Sequence, residues 1–283
     1  MLKNLLAHPL TRGLDIDDPR CTEIRWSIIQ KKPFLRQIYE EWYSAISALL
    51  LLPQEPVLEL GSGGGFLSDY IPGLITSEIF YCQHVEVILD GSSLPFTDES
   101  LAAIVMTDVL HHLPEARGFL AEAKRCVRPG GLVIMIEPWV TSWSRLVYSK
   151  LHHEPFRPDA LEWSFPSKGP LSGANGALPW IIFARDRTQF EEEFPELHIH
   201  SIQPFMPFRY LLSGGVSLCS FMPGWSFALW RKVENLLKPW MKSLAMFALI
   251  VLRKDCILAS SGPMTGSDHE KELDDLAAGS QGE

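Results

Sequence analysis

Val57-Leu58-Glu59-Leu60-Gly61-Ser62-Gly63-Gly64-Gly65 reads as a short buried strand that closes on an acid and runs straight into a glycine turn. Glycines at 61, 63 and 65 permit positive φ and let the backbone approach a ligand more closely than a Cβ would allow. Phe66 to Tyr70 is expected to open a helix whose free N–H groups face that ligand. What is missing narrows the ligand. The dinucleotide fingerprint needs a third glycine three residues after the second, and Phe66 stands there. A phosphate-binding P-loop needs Gly-Lys-Ser/Thr, and Gly65-Phe66-Leu67 has no lysine. The ligand left over is one whose cationic or zwitterionic part sits beside Glu59.

Working outward, Leu74-Ile75-Thr76-Ser77-Glu78 is a second apolar strand closing on an acid, and Val85 to Asp90 a third. Gly91, Leu94-Pro95-Phe96 and Asp98-Glu99-Ser100 follow. Ala102 to Thr107 reads as the fourth strand, and the turn Asp108-Val109-Leu110-His111-His112-Leu113-Pro114 comes after it. From Glu115 to Val127 the apolar residues Phe119, Leu120, Ala123 and Val127 recur at helical spacing, and Arg128-Pro129-Gly130-Gly131 is a stop followed by a turn. Leu132 to Glu137 is a fifth, fully buried strand. Strands alternating with helices at this spacing imply right-handed βαβ units and a parallel sheet. Ligands bind at the carboxyl ends of such strands, so Glu59, Glu78, Asp90 and Asp108 are expected to share one crevice.

In that order the E-x-G-x-G-x-G run at Glu59, the D-x-x-x-L-P-F run at Asp90 and the turn at Asp108 resemble the class I S-adenosylmethionine-dependent methyltransferases, of the type 11 kind, over roughly Glu55 to Glu137. The resemblance implies a Rossmann-like, doubly wound α/β fold with a seven-stranded sheet, an N-terminal helical cap and substrate-side insertions. It implies S-adenosyl-L-methionine as cofactor, held by Glu59, Gly61, Ser62, Gly63 and Gly65, with Glu78 on the ribose. Asp90, followed by Gly91 in the same cofactor-binding set, would meet the adenine amino group, Leu94 would border the base, and Asp108 would complete the crevice. For Asp108 the competing reading is a helix N-cap. The function implied is methyl transfer, as O-methylation of a small-molecule, glycan or lipid-linked acceptor; the alternative is a non-catalytic member that keeps the fold and acts as an interaction protein. The cofactor residues are acids and glycines without metal-ligand spacing, so no metal is expected.

Outside that core the reading is coarser. Trp26 to Leu52 has helical spacing divided at Pro33 and is expected to cap the substrate side, giving a cap over 1–54 and a cofactor core over 55–138. Residues 139–259 hold the rest of the sheet. Trp139 to Trp180 is rich in Gly, Pro, Ser and Asn and reads as a long loop acting as a lid, with Trp163 on it. A hydroxyl acceptor calls for a general base, for which His152 or His153 comes first and His111 or His112 second, although loop histidines are more often structural. Phe190 to Phe194 is expected to be helical, with Leu197 to Ile202 a sixth strand and Met246 to Leu252 a late one. The segment between them carries Phe205, Phe208, Tyr210, Phe221, Trp225, Phe227, Trp230 and Trp240 beside Lys232, Lys238 and Lys242, which suits an acceptor pocket or a peripheral membrane contact.

The formal net charge of the 283 residues is −9, and six acids against Lys271 between Ser260 and Glu283 account for more than half of it. Residues 260–283 are therefore expected to be a disordered acidic tail, and the nearly balanced remainder offers no nucleic-acid surface. Five cysteines without a C-x-x-C pair suggest neither a disulfide framework nor a thiolate zinc site, and point to the reducing cytoplasm. The charged N-terminus does not read as a signal peptide.

Overall fold

The computed structural model describes residues 8–11, 18, 20–50, 56–151, 154–169 and 173–255. Its strands are β1 (Val57–Leu60), β2 (Leu74–Glu78), β3 (Val87–Ile88), β4 (Leu101–Thr107), β5 (Val127–Pro138), β6 (Leu197–Phe205) and β7 (Phe247–Lys254). They form one seven-stranded sheet in the order β3-β2-β1-β4-β5-β7-β6. β1 to β5 run parallel, and β7 lies antiparallel between β5 and β6. The doubly wound sheet expected from the sequence is this one, closed at one edge by an antiparallel pair.

The central strands are apolar throughout because both of their faces are covered. On one face Leu58, Leu60, Ile104, Met106 and Met135 pack with Phe119, Leu120 and Ala123 of α3 (Ala116–Cys126). On the other, Val57, Ala103, Val105 and Ile134 pack with Leu35, Ile38, Trp42 and Ile46 of α2 (Pro33–Leu49). Alternate residues thus serve opposite layers, as a period of two requires. α1 (Arg20–Lys31) precedes α2, and Pro33 opens the second helix at its first turn, where its missing N–H costs nothing.

Several expectations need correction. The helix expected at 66–70 is a single 3-10 turn, Leu67–Asp69. A Cβ on Gly64 would lie 2.5 Å from the Trp26 amide, and Phe66, at φ −147°, turns its ring onto Tyr43 with centroids 4.9 Å apart. The chain is pinned by packing before it can wind. Arg128 to Gly131 is no turn between elements, because β5 begins at Val127, and a Cβ on Gly131 would stand 2.7 Å from the Ala102 carbonyl of the neighbouring strand.

The long loop after β5 contains a helix, α4 (Ser142–Leu151). Its start is set by a reciprocal pair in which the Thr141 N–H donates to Ser144 Oγ at 2.8 Å and the Ser144 N–H to Thr141 Oγ1 at 3.1 Å. Trp163 is not a lid surface. It is wholly buried, its indole N–H donates to Asp186 Oδ2 at 2.9 Å, and the Arg117 guanidinium lies 4.4 Å from its ring centroid.

After α5 (Arg187–Glu193) and β6, the insertion carries α6 (Arg209–Ser213) and α7 (Phe227–Leu236). A buried ion network ties it down. Glu234 accepts from the Phe208 and Arg209 amides and from Arg209 Nε, while the rest of the Arg209 guanidinium is held by both oxygens of Glu41 on α2 at 2.7 and 2.8 Å. Among the described residues no helix is long and apolar enough to cross a membrane. The acidic tail lies outside the described residues.

Candidate active site

The glycine turn is shaped more by its own protein neighbours than the motif alone suggests. Gly61 (φ +64°) and Gly63 (φ +49°) occupy the left-handed region, but Gly65 does not. A Cβ on Gly61 would come within 2.6 Å of Val109, and one on Gly65 would collide with the Tyr43 hydroxyl. Gly63 alone of the set has open space on that side, with nothing nearer than 3.5 Å. Gly61, Gly63, Gly64 and Gly65 all line the cavity of about 630 Å³ lying over the carboxyl ends of β1, β2 and β4, and of the motif glycines Gly63 is the one with room beside it. Ser62 locks the turn to β2, since its amide donates to the Ser77 carbonyl at 2.8 Å and its Oγ accepts from the Ser77 amide at 3.1 Å.

Glu59, Glu78 and Asp108 all line this cavity. Burial raises Glu59 to about 7, with the hydrogen bond from Ser62 opposing and the charge of Glu78 adding. Glu78 is likewise raised by burial, against the Ile79 and Gly63 amides that donate to its two oxygens at 3.3 and 3.0 Å. Asp90, Gly91 and Leu94 are not on the lining. β3 ends after two residues, and the chain folds into a tight turn in which Asp90 Oδ1 accepts from both Ser92 N and Ser92 Oγ at 2.8 Å. Gly91 is wedged between Leu60 and Leu113, and the Leu94 amide donates to Glu122.

Asp108 is held at φ +64°, an unusual conformation for a residue with a Cβ, by its amide's hydrogen bond to the Ile136 carbonyl at 2.8 Å. It is not the cap of the following turn. Glu137, at the carboxyl end of β5 and fully buried, does that work by accepting from the Val109 and Leu110 amides at 2.9 and 2.7 Å. Its other oxygen meets His111 Nδ1 at 2.7 Å. Burial pulls His111 down, yet its hydrogen bonds to Glu137 and Glu154 carry it well above the ordinary histidine value. His111 Nε2 stands 3.5 Å from Glu154. His112 is lowered to about 3 by burial and by the His111 charge, with Nδ1 3.3 Å from the Gly173 carbonyl and Nε2 3.8 Å from Glu154. Asp108 is raised to about 7 by burial, with His111 working against the shift and Glu137 and Glu154 for it.

The sequence reading missed Glu137 and Glu154. The first obeys the same rule of an acid at a strand end; the second sits beside the expected bases His152 and His153, which themselves lie outside the described residues. His111, His112 and Glu154, and likewise Asp108, His111 and Glu137, place ligand atoms within 4.8 Å of one another, close enough to hold a metal ion. Sequence spacing hid both sets because their members come from separate strands and loops.

The opposite wall is aromatic and comes from the cap and the insertion. Tyr39 of α2, Tyr148 of α4, Tyr210 of α6 and Met246 line it, and the three tyrosines lie within electrostatic reach of Asp108. The loop from Gly214 to Leu218 completes it, pinned by Lys32, whose ammonium donates to the Gly215 and Leu218 carbonyls at 2.5 and 2.9 Å.

A doubly wound sheet with a glycine turn after β1 and acids at the ends of β1 and β2 is a Rossmann-like architecture with its crevice at the carboxyl ends of the strands. Residues 58–135 match the methyltransferase domain family. A demethylmenaquinone methyltransferase of Tropheryma whipplei is 29% identical over 99 residues, a match that covers 29% of this chain and 41% of that protein. The polyketide synthase-nonribosomal peptide synthetase TwmB of Talaromyces wortmannii is 30% identical over 96 residues, covering 32% of this chain and 3% of that one. The solved geranyl diphosphate C-methyltransferase of Streptomyces coelicolor is 10% identical, with a TM-score of 0.45 and coverage of 88% of this chain and 89% of that chain. The stretch from 58 to 135 is thus similar to a methyltransferase domain, and the chain spans less than half the length of the curated relatives it matches.

Proposed function

We propose that this chain methylates a hydroxyl of a small-molecule, glycan or lipid-linked acceptor, with Glu59 and Glu78 holding the donor and Asp108 taking the acceptor's proton. The observation that carries this reading is the convergence of three strand-end carboxyls on one cavity beside the open face of Gly63. That set fits S-adenosylmethionine: the ligand is a cation, and among the residues lining the cavity Arg25 is the one Lys or Arg against Glu59, Glu78, Asp108 and Glu154. When bound, the cofactor supplies a methyl group already activated by its sulfonium.

The protein's own residues have modest work to do. Glu78 accepts from the ribose hydroxyls, Glu59 and the Gly61–Gly63 backbone orient the cationic half, and the tyrosine wall excludes water. Asp108, raised to about 7, is matched to accept a proton near neutral pH. His111, held by Glu137, orients Glu154 at the acceptor side. Asp90, Gly91 and Leu94 follow the family pattern for the adenine edge, but the donor assignment here rests on Glu59, Gly61, Ser62, Gly63, Gly65 and Glu78. The same reading keeps 1–54 as cap, 55–138 as core, 139–259 as acceptor side and 260–283 as tail, in a reducing cytoplasmic setting. A non-catalytic interaction protein has no need of a carboxyl strained at positive φ between two other acids.

The test is to incubate the protein with isotopically labelled donor and cell extract and to look for a labelled product by mass spectrometry. Calorimetry with S-adenosylmethionine and S-adenosylhomocysteine accompanies it. No heat with either compound overturns the donor site; binding without any labelled product in repeated extracts favours the non-catalytic reading.

A further inference from the structure

The segment from Phe221 to Trp240 leaves large apolar side chains in water. Trp225 is 82% exposed, Leu229 59%, Leu236 76% and Trp240 58%. They recur at steps of four, seven and four residues along a nearly continuous helical stretch made of the turn Gly224–Ser226, α7 and the turn Lys238–Trp240. Residues three and four apart on a helix are neighbours, so the four side chains form a stripe rather than scattered exceptions. The buried side chains of α7 are Phe227 and Glu234, the latter locked to Arg209, so the stripe is mounted on an anchored element.

The exposed charges of this segment have one sign. Between Cys219 and Leu244 the exposed charged residues are Arg231, Lys232, Lys238 and Lys242, and the acid of that stretch, Glu234, is buried. None of these four cations forms an ion pair among the described residues. In a chain whose formal charge is −9 this is a local reversal. Trp rings with a polar edge and an apolar body, flanked by lysines, suit the boundary between headgroups and acyl chains. A second copy of this acidic chain would have to pair that basic rim with itself if the contact were two-fold, which like charges oppose.

We infer that this face docks peripherally on an anionic lipid bilayer, with Trp225, Leu229, Leu236 and Trp240 entering the interface and Arg231, Lys232, Lys238 and Lys242 on the headgroups. The loop Gly214–Leu218, which walls the cavity, runs within three residues into Phe221. Docking therefore brings the acceptor side of the cavity close to the membrane, and, resting on the proposed methyl transfer, it narrows the acceptor to a lipid-borne hydroxyl.

Co-sedimentation of the full chain with vesicles tests this. Vesicles of phosphatidylcholine containing roughly one third phosphatidylglycerol should bind it, vesicles of phosphatidylcholine alone should bind far less, and salt should weaken the binding. Lys232→Gln with Lys238→Gln should lower the partition coefficient about 25-fold, roughly fivefold per cation. Trp225→Ser with Trp240→Ser should abolish residual binding at high salt while circular dichroism and Tm stay near wild type, since both rings are exposed. Equal binding to both vesicle types, no binding to either, or a dimer that the tryptophan changes dissociate would each overturn the assignment. Binding of S-adenosylmethionine is measured on the same samples. Vesicle binding without donor binding leaves the docking face standing and removes the methyl-transfer reading, and the converse removes only the docking face.

Discussion

At the residue scale the strand-end acids are not equivalent, although the sequence presents them as a matched set. Glu78 is buried on the cavity wall and braced by two amides, whereas Asp90 is exposed and spends its carboxylate on its own turn. Glu78→Ala is expected to weaken S-adenosylmethionine by about 2–4 kcal/mol through the loss of two charge-assisted hydrogen bonds. Asp90→Ala should cost less than about 1 kcal/mol in affinity. Titration calorimetry on the two folded variants checks the order, and a larger loss for Asp90 reverses the assignment of the two strand ends. Asp108 makes a separate claim. If it takes the acceptor's proton, Asp108→Asn should cut kcat by about 10²–10⁴-fold with donor affinity within a few-fold of wild type. The wild-type rate should rise with pH and level off above about 7, since only the ionised carboxylate accepts a proton. Loss of donor affinity instead would return Asp108 to the cofactor set.

At the scale of elements, what could be read ahead was whatever burial writes into local sequence. Leu74–Glu78 and the division of α1 from α2 at Pro33 were legible because a two-sided buried strand must be apolar and a proline must open a helix. α4 was not, since its ten residues are embedded in a Gly-, Pro- and Ser-rich stretch whose composition signals loop. The triad of Glu137, His111 and Glu154 was equally hidden, because β5, the turn after β4 and the segment after α4 meet only in space. Trp163 shows the same limit from the other side. Its loop composition suggested a lid, but its neighbours Asp186 and Arg117 hold it in the core. Trp163→Ala should therefore destabilise the fold by about 3–5 kcal/mol, a fall in Tm of roughly 10 °C, and leave donor affinity of the folded fraction near wild type. Differential scanning calorimetry decides this, and an unchanged Tm with lost turnover would restore the lid.

At the scale of the whole molecule, the sheet gathers carboxyls at one end and removes them from water, so the cavity stores protons that a cationic ligand must displace. Glu59 and Asp108 are both raised to about 7 by burial, far above their unfolded values. The sign follows from linkage. A group that holds its proton more tightly when folded favours the folded state fully below its unfolded pKa, and that contribution is lost as pH rises through the folded value. The ligand-free protein should accordingly lose stability between about pH 4.5 and pH 7, by about 3 kcal/mol for a shift of the size seen at Glu59. S-adenosylmethionine reverses the balance at Glu59, because its positive charge favours that ionised carboxylate and pulls its pKa down on binding. Its affinity should climb by up to about tenfold per pH unit between pH 5.5 and 7 and flatten above. Binding near pH 6.5 should release a proton, seen as a calorimetric heat that changes with the ionisation enthalpy of the buffer. Glu59→Gln should flatten the pH dependence even where it weakens binding overall. An affinity that stays constant from pH 5.5 to 7.5, with no proton released, would mean that the donor's charge does not rest on Glu59.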